Sequence, residues 1–448
     1  MVWGQNPAAK FTISQINISG NKKTKEHVIL REIDIKAGDS FYYFQKDSLI
    51  HSLQNKIFNL ALFIKVKVFL DSLSVNERIC RIEVSERFYT IPGLSIELAD
   101  RTFNEWWYLY NHRLNRLQYG FSIIQKNCFG LNHTLSTIVQ TGFSDYYSIG
   151  YLIPFIKLSK NSGFNLNFQY LKNDELAYNI SDSNMLKYIR NDSTLRIRTR
   201  TDAEFRFQEN LFTKHQITFS FHTNSISEKT YQLNSNYLLP GIKRLNFFSL
   251  AYLFDLNKTD IHFYPTKGYH VQANFSYSGL LSGQNFRHFN YNFYLASFNH
   301  HKKKAFLANS LYFEGLVANK PSYLYSPSLG YSGIFIRSYE YYLIKGTHLF
   351  LNKNELKYKI TDKWINLKFL PLTKFNNIPL QIYPKLFLDI GFLSDKNLFS
   401  SFLLNNKYLL GVGTGIDLVS YYDIVIRIEA GYNLNREKSL FFHLNKGI

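Results

Sequence analysis

No run of about eighteen apolar residues occurs in the 448-residue chain, which excludes a membrane-spanning helix. Cysteine is nearly absent. Cys80 and Cys128 are the only two, and because they fall in different expected domains no disulfide framework is expected. The start, Met-Val-Trp-Gly-Gln-Asn-Pro, lacks a basic segment followed by an apolar one. The chain therefore reads as mature or truncated, with Gln5 close to a processed end. Neither a G-x-S-x-G elbow nor an H-E-x-x-H helix is found, so hydrolytic chemistry has no foothold and no enzyme is expected. There is no zinc-ligand spacing and no basic helix, so neither a metal, a cofactor nor a nucleic-acid partner is expected.

What is present is aromatic and basic. Forty Phe, 33 Tyr and 4 Trp make 17% of the chain, the kind of excess that builds the two aromatic girdles of a transmembrane barrel. Composition alone accommodates a Tyr-rich soluble β-protein equally well. The 52 Lys and Arg against 33 Asp and Glu leave +19, spread along the chain. A basic lumen, or attraction to anionic lipid head groups, accounts for that spread. The one dense run, His300, His301, Lys302, Lys303 and Lys304, lies between two strand patterns and reads as a solvated turn.

Residues 1–10 form an N-terminal tail, and residues 11–88 a compact unit with no catalytic constellation. Residues 11–18 read as a strand closed by the turn pair Gly20-Asn21. Thr24 is placed to N-cap a helix running to about Ile33. A second helix covers about Gln45–Leu60, where Leu49, Ile50, Leu53, Ile57 and Leu60 recur at helical spacing. Two alternating strands follow, giving the order βααββ.

From Pro92 the helical signal gives way to period 2. In 195–207, Leu195, Ile197, Thr199, Thr201, Ala203, Phe205 and Phe207 share one face, and Arg196, Arg198, Arg200, Asp202, Glu204 and Arg206 the other. Six charges on one face over about 40 Å suit a strand with lipid on one side and a watery lumen on the other. Segment 423–432 repeats the design, with Arg427 and Glu429 inward. Such segments number about sixteen, from 93–98 to 438–446. Connections after even strands are mostly tight, such as ENLFT, HHKKK and SYYD; the long ones, 99–114, 174–194, 225–242 and 317–348, follow odd strands. Short periplasmic turns and long outer loops show that asymmetry. The expected fold is mostly β: the βααββ unit, then an antiparallel sixteen-stranded transmembrane barrel over 89–448.

Three motifs carry a family resemblance. INISGNKKT, LREIDIKAGD and VSERF resemble a POTRA domain. IHFYPTKGYHV, with Tyr264, Pro265, Thr266, Lys267 and Gly268, resembles the periplasmic-turn motif of BamA/TamA-type barrels. IRSYEYYLIKG, opening with Ile336, Arg337, Ser338 and Tyr339, resembles their inward-folded sixth loop. The match runs over nearly the whole chain.

This resemblance implies an outer-membrane barrel with its N-terminal domain in the periplasm, whose first and last strands meet at a weak seam. It implies insertion or translocation of β-rich polypeptides through that seam. It also implies partners: outer-membrane lipid or lipopolysaccharide, and unfolded β-barrel clients or periplasmic accessory subunits received by the POTRA-like unit through exposed strand edges. By the same resemblance Arg337 packs against inner-wall carboxylates, and Glu355 and Asp389 match; period 2 independently turns both inward. Gly411, Gly413 and Gly415 share the inward face with Asp417 and leave room for a loop against the wall. Ser338 stands where the family has glycine, only one POTRA unit is evident, and the chain ends Leu444-Asn445-Lys446-Gly447-Ile448, which displaces the usual aromatic terminal signal to Phe441 or Phe442. These departures favour a specialised or accessory member. The alternatives are a passive channel or structural barrel scaffolding partner subunits, and a dedicated exporter, which usually has two POTRA domains and a plug helix longer than residues 1–10 allow.

Overall fold

The computed structural model describes residues 9–156, 161–281, 285–302, 304–331, 333–366, 377–396, 402–420 and 424–446. Most of the N-terminal tail, with Gln5, lies outside them, as do Lys303 and Tyr421–Asp423 of the expected turns. By internal contacts the chain divides into one unit of residues 1–94, 121–138 and 148–166, and a second holding the remainder.

The front of the first unit is built from β1 (Lys10–Ser19), α1 (Glu26–Glu32), β2 (Ser40–Tyr42), α2 (Lys46–Phe58), β3 (Phe63–Ser72) and β4 (Glu77–Glu86). The sheet runs β2-β1-β4-β3, with β1 and β4 parallel. A parallel pair needs a long crossover, and both helices supply it. Their apolar stripes, Val28 and Ile29 from α1 and Leu53 and Ile57 from α2, bury against Phe11, Ile13, Phe63 and Ile82 of the sheet.

Thr24 corrects the sequence reading. Lys25, not Thr24, takes the N-cap position, and no side chain caps α1. Thr24 instead turns to Glu86 at the end of β4: its N–H and hydroxyl both donate to Oε1 at 2.7 Å. A carboxylate accepting several donors is the stronger partner, so the helix starts one residue later than the capping rule places it. Thr24 Oγ1 also accepts from Asn127 Nδ2 at 2.9 Å, and Lys25 N–H donates to the Gly130 carbonyl at 2.9 Å. Arg31 lies 4.5 Å from the Phe155 ring centroid.

The remaining strands are β5 (Thr90–Leu98), β6 (Leu117–Cys128), β7 (His133–Gly142), β8 (Ser144–Ile153), β9 (Ser162–Asn173), β10 (Glu175–Ile180), β11 (Leu186–Arg190), β12 (Arg196–Gln208), β13 (Thr213–Ile226), β14 (Arg244–Asn257), β15 (Gly268–Leu280), β16 (His288–Lys302), β17 (Ala305–Ala318), β18 (Ser328–Leu329), β19 (Ile344–Lys345), β20 (His348–Tyr358), β21 (Thr361–Asn366), β22 (Asn377–Ser394), β23 (Tyr408–Val419), β24 (Ile424–Asn433) and β25 (Lys438–Lys446). β10–β11 and β18–β19 are small separate pairs. The others close a barrel, β25 standing next to β5. Both β20 and β21 pair with β22, so they act as one interrupted strand and the barrel has sixteen.

Short helical turns appear at Glu105–Leu109, Leu114–Arg116 and α3 (Glu228–Leu233), in or at the edge of stretches that the sequence marked only as long connections. Segments of three to six residues are too brief to display a 3.6 period. The tight turns have specific causes. In ENLFT, Asn210 Oδ1 accepts from the N–H groups of Phe212 and Thr213 at 2.9 and 3.0 Å. In the YPTKG turn the Asp260 carboxylate accepts from the Thr266 and Lys267 N–H groups at 2.9 and 3.1 Å. Gly268 follows at φ +105°, with the Lys258 carbonyl only 2.1 Å from where a Cβ would lie.

The barrel wall is inverted relative to a soluble protein. On β22, Leu386 and Leu388 are exposed while Lys385, Phe387 and Asp389 are buried. On β20, Leu356 and Tyr358 are exposed and Lys357 is buried. On β13, Phe219 and Phe221 face out and Thr218 and Ser220 face in. Leucine outside and lysine inside is a stable alternation when the surroundings are hydrocarbon.

Candidate functional site

The loop between β17 and β20 folds back so that residues 336–340 lie on the inner faces of β20 and β22–β25. Arg337 is its anchor. Its backbone N–H donates to Asp389 Oδ2 at 3.1 Å and its Nε to the same oxygen at 2.8 Å. Nη2 donates to the other Asp389 oxygen, which completes a bidentate pair. Nη1 bonds Glu355 Oε1 and reaches Glu429 Oε1 at 3.2 Å. The guanidinium carbon lies 4.1 Å from the Phe387 ring centroid, so the cation is held on its face as well as its edges.

Period 2 puts these partners together. Lys357 and Glu355 on β20, Lys385 and Asp389 on β22, Asp417 on β23 and Arg427 and Glu429 on β24 all project inward, and antiparallel pairing levels them. Lys385 Nζ contacts Glu429 at 2.7 Å, Asp417 at 2.8 Å and Glu355 at 3.2 Å. Lys357 Nζ contacts Glu355 at 2.7 Å. Four carboxylates thus face four cations, Arg427 being more distant, 3.9 Å from Asp417. A buried charge is costly unless compensated, and here each carboxylate meets at least one cation.

The turn motif joins the same network. Tyr264 is buried, and its hydroxyl donates to Asp417 Oδ2 at 2.9 Å, while its ring packs on Tyr383 and Phe306. Pro265, Thr266, Lys267 and Gly268 shape the turn, with Thr266 and Lys267 bonded to Asp260. A cavity of about 400 Å³ lies between turn and loop, bordered by Tyr264, Arg337, Glu355, Lys357, Glu429 and His443.

The glycines divide their labour differently from the sequence reading. Only Gly411 makes room for the loop backbone: a Cβ there would lie 2.1 Å from the Arg337 carbonyl oxygen. A Cβ at Gly413 would strike the Phe387 ring at 2.6 Å, and one at Gly415 the Glu429 and Lys385 side chains at 3.0 and 3.2 Å. Gly391 and Gly431 serve the loop too, facing Ile336 Cδ1 and Ser338 Oγ, each at 2.2 Å. Ser338 adopts φ +71°, the conformation that glycine favours. Its hydroxyl bonds Ser439 Oγ at 2.8 Å and its carbonyl accepts from Asn433 Nδ2 at 2.8 Å. Those bonds hold a non-glycine residue in a left-handed turn. Tyr339 is buried, and its hydroxyl accepts from the Leu434 N–H at 3.3 Å.

The sequence reading missed Lys385, Lys357 and Arg101. The lysines were within reach, since each alternates with outward leucines. Arg101, in the β5–β6 connection, gave no signal. It donates to the carbonyls of Tyr341 and Tyr342 at 3.0 Å each, while Glu105 holds it in place.

A POTRA domain ahead of a sixteen-stranded barrel, with an arginine-anchored loop folded against the inner wall, defines the architecture. The POTRA family model, described as surface antigen variable number repeat, matches residues 11–87. Among solved structures, BamA from Haemophilus ducreyi lacking POTRA domains 1–3 is similar at 12% identity and TM-score 0.65, over 97% of this chain and 83% of that one. CdiB from Acinetobacter baumannii is similar at 12% identity and TM-score 0.51, over 96% and 73%. No curated protein matches the sequence.

Proposed function

We propose that this protein is an outer-membrane insertion or translocation factor, acting without bond chemistry, with residues 11–88 in the periplasm and 89–448 as its membrane domain. The observation that carries the reading is the loop clamp: Arg337 bonded through backbone and side chain to Asp389, opposite a wall where Gly411 leaves space for the loop. A plain pore has no need of a loop fixed against one arc of its wall. That arc, β20 to β25, ends at the strand adjoining β5, the boundary that would part during transfer. The POTRA sheet offers β2 and β3 as edges for an unfolded β-barrel client or an accessory subunit.

Depletion of the protein followed by outer-membrane proteomics tests the reading. Loss of a defined set of other outer-membrane proteins is expected. An unchanged outer-membrane proteome, together with single-channel conductance of the purified protein, would instead establish a passive channel. A disulfide engineered across the β5–β25 boundary is expected to abolish function in a folded barrel; full activity of the locked form would eliminate the seam.

A further inference from the structure

We propose that Glu340, Glu429 and His443 form a binding site for one divalent first-row transition ion of the zinc type. The three residues come from three elements. Glu340 follows the loop turn, Glu429 lies on β24 and His443 on β25. Each offers one ligand atom, and the three lie within 4.8 Å of one another. Two of the separations are known: His443 Nε2 stands 3.1 Å from Glu340 Oε1 and 3.4 Å from Glu429 Oε2. Nitrogen and oxygen ligands about 2.0–2.1 Å from a tetrahedral zinc are themselves about 3.3 Å apart, so these spacings already match edges of the coordination polyhedron.

Two further observations point to a ligand. Glu340 is 1% exposed, and its second carboxylate oxygen, Oε2, is buried with no hydrogen-bond partner among the described residues. Such an oxygen in a closed wall is an uncompensated acceptor, and a cation would satisfy it. Glu429, in turn, divides its two oxygens. Oε1 takes Lys385 and Arg337, and Oε2 faces His443. The carboxylate is thereby oriented by one set of cations and open to another, the arrangement that fixes metal ligands from behind. The His443 ring is oriented too, stacked on Phe335 at 5.3 Å and 19°. Glu429, His443 and Phe335 also border the 400 Å³ cavity, which provides entry and room for a water as fourth ligand.

The donor set selects the ion. One imidazole with two carboxylates suits zinc and its neighbours, whereas magnesium and calcium prefer oxygen alone. The site stands independently of what the barrel transports, since it rests on ligand geometry alone.

The test uses the full chain, folded in detergent and treated with chelator. Cobalt(II) should give the intense visible bands of a four-coordinate ion, abolished by stoichiometric zinc. Titration calorimetry should show one zinc per chain, with excess magnesium not competing. His443→Gln and Glu340→Gln, each confirmed as folded by heat-modifiable migration, should weaken zinc binding at least tenfold. Weak octahedral cobalt bands, no saturable zinc binding, or binding unchanged in folded His443→Gln would each overturn the site. The cobalt spectrum of the wild type keeps the test decisive if a variant fails to fold.

Discussion

Arg337 gives Asp389 both its backbone N–H, at 3.1 Å, and its Nε, at 2.8 Å. One carboxylate on β22 therefore fixes the path of the loop chain and the direction of its side chain together. A lysine could supply the charge but not the planar fork.

Removal of that arginine is the most damaging single change expected. Arg337→Ala takes from buried Asp389 its ion-pair partner, and from Glu355 and Glu429 one cation each while the lysines remain, at a cost of about 3–5 kcal/mol. Arg337→Glu adds repulsion to the same loss. Both should lower the temperature at which the barrel unfolds on semi-native gels, and Arg337→Lys should fall between. An unchanged midpoint in all three would remove the clamp from the account.

Two glycines separate backbone from side-chain crowding. Gly411→Ala sets a methyl 2.1 Å from the Arg337 carbonyl, so the loop backbone must leave. Gly391→Ala meets the end of the Ile336 side chain, which has rotamers to yield. Protease cleavage in residues 336–346 should rise sharply in the first and little in the second. Equal protection would mean the loop does not lie where Gly411 places it.

Ser338→Gly exchanges two terms of similar size. It relieves left-handed strain, about 1 kcal/mol or slightly more, and loses the hydroxyl bond to Ser439, worth about 0.5–1.5 kcal/mol. Heat stability should move little. Ser338→Val keeps the strain, loses the bond and should be clearly destabilised, as read by the same gels; a neutral valine would contradict the φ of +71°.

The POTRA contact should be acid-sensitive. Burial pushes the Glu86 carboxyl up, but hydrogen bonds from Thr24 and Lys23 outweigh it and hold it below its ordinary 4.5. A carboxylate lowered on folding stabilises above its unfolded value and loses that contribution as pH falls through the folded one. Amide exchange at Lys23 and Thr24 should be flat from pH 7 to 5 and accelerate, after correction for intrinsic rates, below about 4.5. Thr24→Val, which removes a hydroxyl bonded to both Glu86 and Asn127, should cost about 1–3 kcal/mol of that protection at neutral pH. Protection that persists well below pH 4 in the wild type would discount Glu86.

Much of the wall was legible because a strand's side-chain period is local. Alternation of Leu386, Leu388 and Ile390 with Lys385, Phe387 and Asp389 needs no partner to be read, and it turns Asp389 inward wherever the strand sits. Thr24 was misread for the opposite reason: its competing acceptor, Glu86, lies 62 residues away.

The sequence alone determined the alternation, the order of the segments, the turn chemistry and the inward direction of Arg337's carboxylates. Tertiary structure decided which inward charges meet. Antiparallel register levels Lys385 with Gly415 and Asp417 with Arg427, and the returning loop sets Arg337 among them. Glu340, Glu429 and His443 belong to this second kind, since no spacing along the chain marks three ligands from a loop and two strands. The reason is physical: direction follows from one residue's own backbone, whereas proximity depends on how sixteen strands close.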